Sequence, residues 1–298
     1  MKNKVQTVAK VLEKKRKELF KKAHVVGVGI GEKVTGGLPT GRMSLKVYVE
    51  KKLAKHKLSK HNLIPKSVAG VETDVEEVGK IKSLAYTGRM RPALGGVSIG
   101  HVKITAGTLG CLVRDKKTRG KLILSNNHVL ANSNAAKKGD KIIQPGAVDG
   151  GKLPKDLIGR LDRWVNIDFS EVGNWVDCAA ASPTSAASVK PEIISIGAPK
   201  GVTKARIGTV VQKTGRTTEF TMGKVKDVSM TVKVNYGRKT ALFHNQILTT
   251  AMSQGGDSGS LVLDQAKRAV GLLFAGSDTV TLCNPIQEVF KRLGVGLA

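Results

Sequence analysis

From residue 95 onward the chain is a procession of short apolar runs with almost no helical periodicity between them. "TLGCLVRD", "KLILSNNHVL", "VDCAAA", "ARIGTVVQKT", "GKVKDVSMTVKVNY", "NQILTTAM", "GSLVLD" and "AVGLLFAG" follow one another, separated by glycine, asparagine and charged turn residues. Strands this short cannot bury a face alone, and no helices intervene between them to cover it. The pattern predicts a mainly β domain, a barrel or a sandwich. One closing helix is expected in "NPIQEVFKRLGV".

The first third has a different texture. Val5, Val8, Leu12 and Leu19 recur at helical spacing over 4–22, supported by the i,i+4 pairs Glu13/Lys17 and Glu18/Lys22. "HVVGVGIGEK" and "SLKVYVEKK" read as two strands around a turn in "TGGLPTG". A short helix opened by Ser59 and a strand in "VETDVEEVGKI" follow. Residues 1–85 thus form a small α+β domain. Residues 86–96, within the glycine-rich, aperiodic stretch "SLAYTGRMRPALGGVSIG", read as a linker, and 97–298 as the β domain.

Composition narrows the function classes. Residues 1–90 carry 21 basic and 8 acidic side chains, and the whole chain has a net charge of +27. Such a field attracts polyanions or an acidic partner, above all to the N-terminal domain. Aromatic residues are only 4% of the chain, too few for a base-stacking platform. No apolar run reaches membrane-spanning length, and the N-terminus has no secretory pattern, so a cytoplasmic protein is expected. Cys111, Cys178 and Cys283 are few, distant and odd in number. That argues against a disulfide framework and against a CxxC metal site; no cofactor or metal is expected.

The stretch "SQGGDSGSLVLD", 253–264, crowds glycines around Ser258 just before a strand. A serine hydroxyl becomes a useful nucleophile only beside a base, most often a histidine held by a buried carboxylate. Of six histidines, His128 stands apart: it leaves an apolar strand in "LILSNNHVLA", where a side chain can face a cleft. Asp177, in "NWVDCAAAS", has apolar neighbours on both sides and needs a partner.

In that order, "SNNHVLA", "VDCAAA" and "GGDSGS" resemble the trypsin/chymotrypsin-like serine peptidases. "VVQKTGRTTEFTMGKV" and "GLLFAGSDTVTLCNPI" are similar to the bacterial alpha-lytic branch, and an extra N-terminal α/β unit precedes the resemblance. The resemblance implies two six-stranded antiparallel β-barrels of the chymotrypsin type and a serine endopeptidase. Its triad would be His128, Asp177 and Ser258, and its oxyanion hole the N–H groups of Gly256 and Ser258. It also implies an ion pair between Asp257 and Lys213, in place of the new N-terminus that secreted relatives use, and a specificity pocket at Met252, Phe274 and Gly276. The chain departs from the family in three places. Val129 follows His128 where many relatives have a cysteine that would bridge to one near Cys111. Phe274 stands where relatives often place a serine that supports the aspartate. Ser260 replaces a glycine after GDSG. The alternative is a protease-like scaffold that binds a polyanion or a partner without proteolysis.

Overall fold

Val8, Leu12 and Leu19 form one stripe of helix α1 (Lys2–Phe20) and are all buried. The stripe packs on Leu45, Val47 and Val49, alternate residues of one strand, so the helical and strand periods meet face to face. The computed structural model describes residues 2–79 and 86–298, which divide into two units at Leu84 and Ala85. In the first unit, β1 (Val25–Thr35), β2 (Leu38–Val49), β3 (Ser67–Val68) and β4 (Val71–Glu77) form one sheet in the order β1-β2-β4-β3. The hairpin is tighter than "TGGLPTG" suggests. Thr35 pairs with Leu38 across Gly36–Gly37, so Leu38–Gly41 belong to the strand. The expected short helix is a 3-10 turn, Lys60–Asn62, after Ser59. Lys80 and Ile81, expected at the end of the last strand, lie outside the described residues.

The second unit begins with β5 (Ala93–Gly95), β6 (Ser98–His101), β7 (Gly107–Thr108), β8 (Cys111–Asp115) and β9 (Lys121–Ser125). Helix α2 (Asn127–Leu130), β10 (Lys141–Ile143), β11 (Leu157–Trp164), β12 (Ala179–Pro183) and β13 (Val189–Ile193) follow. The sheet runs β8-β9-β12-β11-β10-β6-β7. Strands β7 and β8 are one bent stretch. Leu109 N–H donates to the Val97 carbonyl on one side of the bend and Gly110 N–H to the Leu124 carbonyl on the other. The ring therefore closes with six strands, counting the bent stretch once.

The second ring consists of β15 (Val210–Gly215), β16 (Glu219–Asn235), β17 (Thr240–Thr250), β18 (Leu261–Asp264), β19 (Arg268–Gly276) and β20 (Val280–Pro285). Its order β18-β15-β16-β17-β20-β19 closes through pairing of β18 with β19. A short β14 (Gly201–Val202) lies parallel to β19. The expected closing helix is α3 (Ile286–Leu293), which buries Ile286, Val289, Phe290 and Leu293; β21 (Val295–Leu297) then returns to pair with β8 of the first ring. Leu124 and Cys178 from one ring and Leu261 and Leu272 from the other share one apolar cluster. The mainly β, two-barrel expectation thus matches the fold.

The expected linker over 86–96 is instead part of this unit. Strand β5 pairs parallel with β13, Ala93 is fully buried, Met90 N–H donates to Gln144 Oε1 at 2.9 Å, and the Tyr86 carbonyl accepts Ser98 N–H at 2.8 Å. Two of the glycines in the stretch are close-packing residues: a Cβ on Gly95 would stand 2.5 Å from the Gly110 carbonyl oxygen, and one on Gly96 would stand 2.6 Å from Thr214 Cγ2.

Candidate active site

Pairing of β9 with β12 sets Ser125 opposite Ala179, and the chain just outside each strand carries the candidate residues. His128 lies on α2, directly after β9; Asp177 lies two residues before β12. Asp177 is fully buried, so its charge needs donors. His128 Nδ1 lies 2.5 Å from its Oδ2, and His128 N–H donates to its Oδ1 at 3.2 Å. The main chain of Asp177 is fixed as well. Asn126 Nδ2 donates to its carbonyl at 2.7 Å, and its N–H donates to Asn284 Oδ1 at 3.0 Å. Gln246 Oε1 in turn accepts from Asn284 Nδ2.

The serine loop connects β17 to β18 and is shaped around Asp257, also fully buried. Lys213 Nζ, on β15 and equally buried, stands 3.2 Å from Asp257 Oδ2. Burial holds the Lys213 ammonium below the usual lysine range, and the Asp257 charge opposes that shift. Asp257 also accepts from the N–H groups of Thr217, Thr218 and Gln254 and from the Thr218 hydroxyl. Lys213 gives its remaining bonds to the Thr218 hydroxyl and the Glu219 carbonyl. Arg216 turns away to an ion pair with Asp149.

The same anchor orients the loop. The Gly255 carbonyl accepts from Thr217 Oγ1 at 2.8 Å, and in a planar trans peptide the Gly256 N–H must then point the opposite way. Gly256 has φ +98°, which a side chain at that position would strain. The Thr108 hydroxyl and N–H hold the carbonyls of Gly256 and Ser258. Among the described residues, neither the Gly256 nor the Ser258 N–H donates to a protein acceptor.

Ser258 and His128 line one cleft of about 930 Å³. In this structure the Ser258 hydroxyl donates to the Phe274 carbonyl at 3.4 Å rather than to His128. Phe274 and Gly276, expected at the specificity pocket, are in the cleft wall. Met252 is not. Its N–H donates to Thr281 Oγ1 and its carbonyl accepts from Thr221 Oγ1, which turns the side chain inward over Gly223. There it packs with Val211, Val225 and Ile247 in the second barrel.

One residue escaped the sequence reading. With Phe274 packed on Phe243 at 4.8 Å between centroids, the cleft strand offers Asp177 no hydroxyl. The donor is Tyr236, whose Oη lies 2.8 Å from Asp177 Oδ2. Burial, reinforced by the Asp177 charge, pushes this phenol far above the usual tyrosine range. In sequence, "VNYGRK" shows only a strand running into a turn.

The other candidates are structural. His101 is buried against Asp140. Cys111, Cys178 and Cys283 are buried free thiols, and burial pushes Cys111 and Cys283 up to about 12. Among the described residues no cluster of His, Cys, Asp and Glu has metal-binding geometry, and no helix is long and apolar enough to cross a membrane.

Protease A of Thermobifida fusca matches the structure with a TM-score of 0.52 at 20% identity, over 69% of this chain and 99% of that one. A Nocardiopsis protease matches with a TM-score of 0.51 at 16% identity, over 68% and 97%. An alpha-lytic protease homologue matches with 0.49 at 18%, over 69% and 100%. No curated protein matches the chain in sequence. The sequence profile of the trypsin-like peptidase domain matches residues 107–272, more than half of the chain, and ends inside β19, the cleft strand. This chain belongs to the trypsin-like peptidase domain family.

Proposed function

We propose that the chain is a serine endopeptidase that forms an acyl-enzyme on Ser258, with His128 as base and Asp177 as its partner. The observation that carries this reading is His128, held by the fully buried Asp177 and facing the cleft that also holds Ser258 and two unspent N–H groups. Asp177 accepts from Nδ1, which leaves the Nε2 lone pair of His128 for the cleft. Ser258 Oγ rotates off the Phe274 carbonyl, passes its proton to His128 and attacks the substrate carbonyl. Gly256 and Ser258 N–H groups receive the oxyanion; one such donor is worth about 2.7–4 kcal/mol of barrier. His128 returns the proton to the leaving amine, and water repeats the sequence on the acyl-enzyme. A fluorophosphonate probe tests this directly. Wild-type protein should label stoichiometrically and Ser258→Ala should not. An unlabelled wild type that still holds a partner would favour the binding scaffold.

Three refinements belong to the same reading. Phe274, Ala275 and Gly276 on the cleft strand favour cleavage after small or medium apolar residues, and a peptide library with a clear arginine preference would overturn that. The Lys213–Asp257 pair favours activity without processing. Val97 is 1% exposed and its carbonyl accepts Leu109 N–H, so a cut before it would have to open the first barrel. Intact protein, checked by mass spectrometry, should titrate as active. The basic first unit favours a polyanionic or acidic docking partner, and its removal should abolish salt-sensitive retention on heparin.

A further inference from the structure

Asp177 has two oxygens with unequal loads. Among the described residues, Oδ1 receives only the His128 N–H. Oδ2 receives both His128 Nδ1 and the Tyr236 hydroxyl, at 2.5 and 2.8 Å. No donor comes from the cleft strand, where Phe274 turns its ring into the aromatic cluster. Tyr236 comes from elsewhere, the tip of the β16–β17 hairpin, where its own N–H bonds the Lys239 carbonyl at 2.8 Å. Its ring is held on three sides. It stacks on Phe243 at 6.2 Å, meets Phe169 edge-on at 5.8 Å, and meets the His128 ring edge-on at 5.9 Å. The same tip supplies Asn235 and Gly237 to the cleft wall.

Resting on the peptidase reading above, we propose that Tyr236 is the positioning residue of the catalytic pair. Its hydroxyl fixes which Asp177 oxygen faces His128, and the hairpin tip, not the cleft strand, sets that alignment. The chemistry is that of a shared acceptor. Two donors on one oxygen lock the carboxylate rotation and spread its charge. Without the phenol, the Asp177 carboxylate keeps the two bonds from His128 but loses the donor that fixes and screens Oδ2, so it attracts an imidazolium proton more strongly. Because burial keeps the phenol protonated, it remains a donor throughout the working range.

The test is Tyr236→Phe in the full chain, which removes one oxygen and keeps all three ring contacts. Labelling by fluorophosphonate should still reach full titre, but more slowly. The kcat should fall on the order of tenfold, the worth of one hydrogen bond to a charged group, with KM nearly unchanged. The acid limb of the kcat/KM profile should move to higher pH by up to about one unit. The other charged side chains on the cleft, Lys233 and Asp278, are untouched by the change. A second measurement needs no mutation. Replacing the three tyrosines of the chain by 3-fluorotyrosine makes a stronger phenol donor and should move the same limb to lower pH. Wild-type kcat/KM in Tyr236→Phe with an unmoved acid limb overturns the proposal. A wild type that never labels defeats the peptidase reading instead.

Discussion

Asp257 collects five interactions at one buried position: the Lys213 ion pair, three N–H groups and the Thr218 hydroxyl. Removing one partner of a buried pair leaves an uncompensated charge, which costs roughly 3–5 kcal/mol. Lys213→Ala should therefore lower stability by about that amount in urea titration and abolish active-site titre, because the uncompensated Asp257 carboxylate must turn towards water and away from the Thr217 and Thr218 donors it orients. Gly259→Ala should be as damaging for a different reason. Its φ is +97°, and a Cβ there would stand 2.1 Å from Ser125 Oγ and 2.3 Å from the Thr108 carbonyl oxygen. A loss above about 4 kcal/mol is expected, and a soluble, fully active alanine variant would contradict that. The motif around Ser258 is legible in the sequence, and so is the pairing of Lys213 with Asp257 by resemblance. The reason for Gly259 is not legible, because the atoms that crowd it come from two other strands. Tyr236 and Met252 were hidden likewise. One depends on where a long hairpin ends, the other on which way a strand end turns.

At the scale of elements, the turn between β8 and β9 is built on Asp115. Its Oδ1 accepts from the N–H groups of Thr118 and Lys117, and Arg163 of β11 reaches Oδ2 at 2.7 Å. The Thr118 N–H is the largest cause, with Lys117 and the Arg163 charge adding to it, and the carboxyl is held down to about 2. A depressed folded value means that the unfolded chain takes up the proton first as pH falls. Asp115 should contribute its full stabilisation above the ordinary aspartate range, lose it progressively below, and have none left under about pH 2. Urea midpoints between pH 5 and pH 2 should fall more steeply for wild type than for Asp115→Asn. Parallel curves would mean that the turn does not depend on the charge. The strands were legible from alternation and from glycine and asparagine punctuation. The closure of the first ring was not, since it rests on a bend at Leu109–Gly110 that no residue pattern announces.

For the whole molecule, the decisive question is where the β unit begins. A glycine-rich, aperiodic segment invites a cut near residue 90. The structure puts the boundary at Ala85, and the described residues after it are bonded into the first barrel. Gln144, fully buried, is the hub. Its Oε1 accepts Met90 N–H at 2.9 Å, its Nε2 donates to the Gly88 carbonyl at 2.9 Å, and Arg91 reaches its main-chain carbonyl at 3.2 Å. Arg89 adds an ion pair to Asp156 at 3.0 Å. A protein starting at Ala85 keeps all of these, whereas one starting at Pro92 leaves a buried amide without its partners. Each unsatisfied buried group costs about 1–3 kcal/mol, and in a unit of this size one kcal/mol shifts Tm by roughly 2–4 °C. The Ala85 protein should therefore melt as the second unit does in the full chain and titrate fully with fluorophosphonate. The Pro92 protein should melt on the order of 5–10 °C lower and lose titre in proportion to the fraction unfolded. Equal melting of the two would mean that residues 85–91 are a tether after all. Loss of titre already at Ala85, with the melt unchanged, would mean that the first unit is required to form the active site.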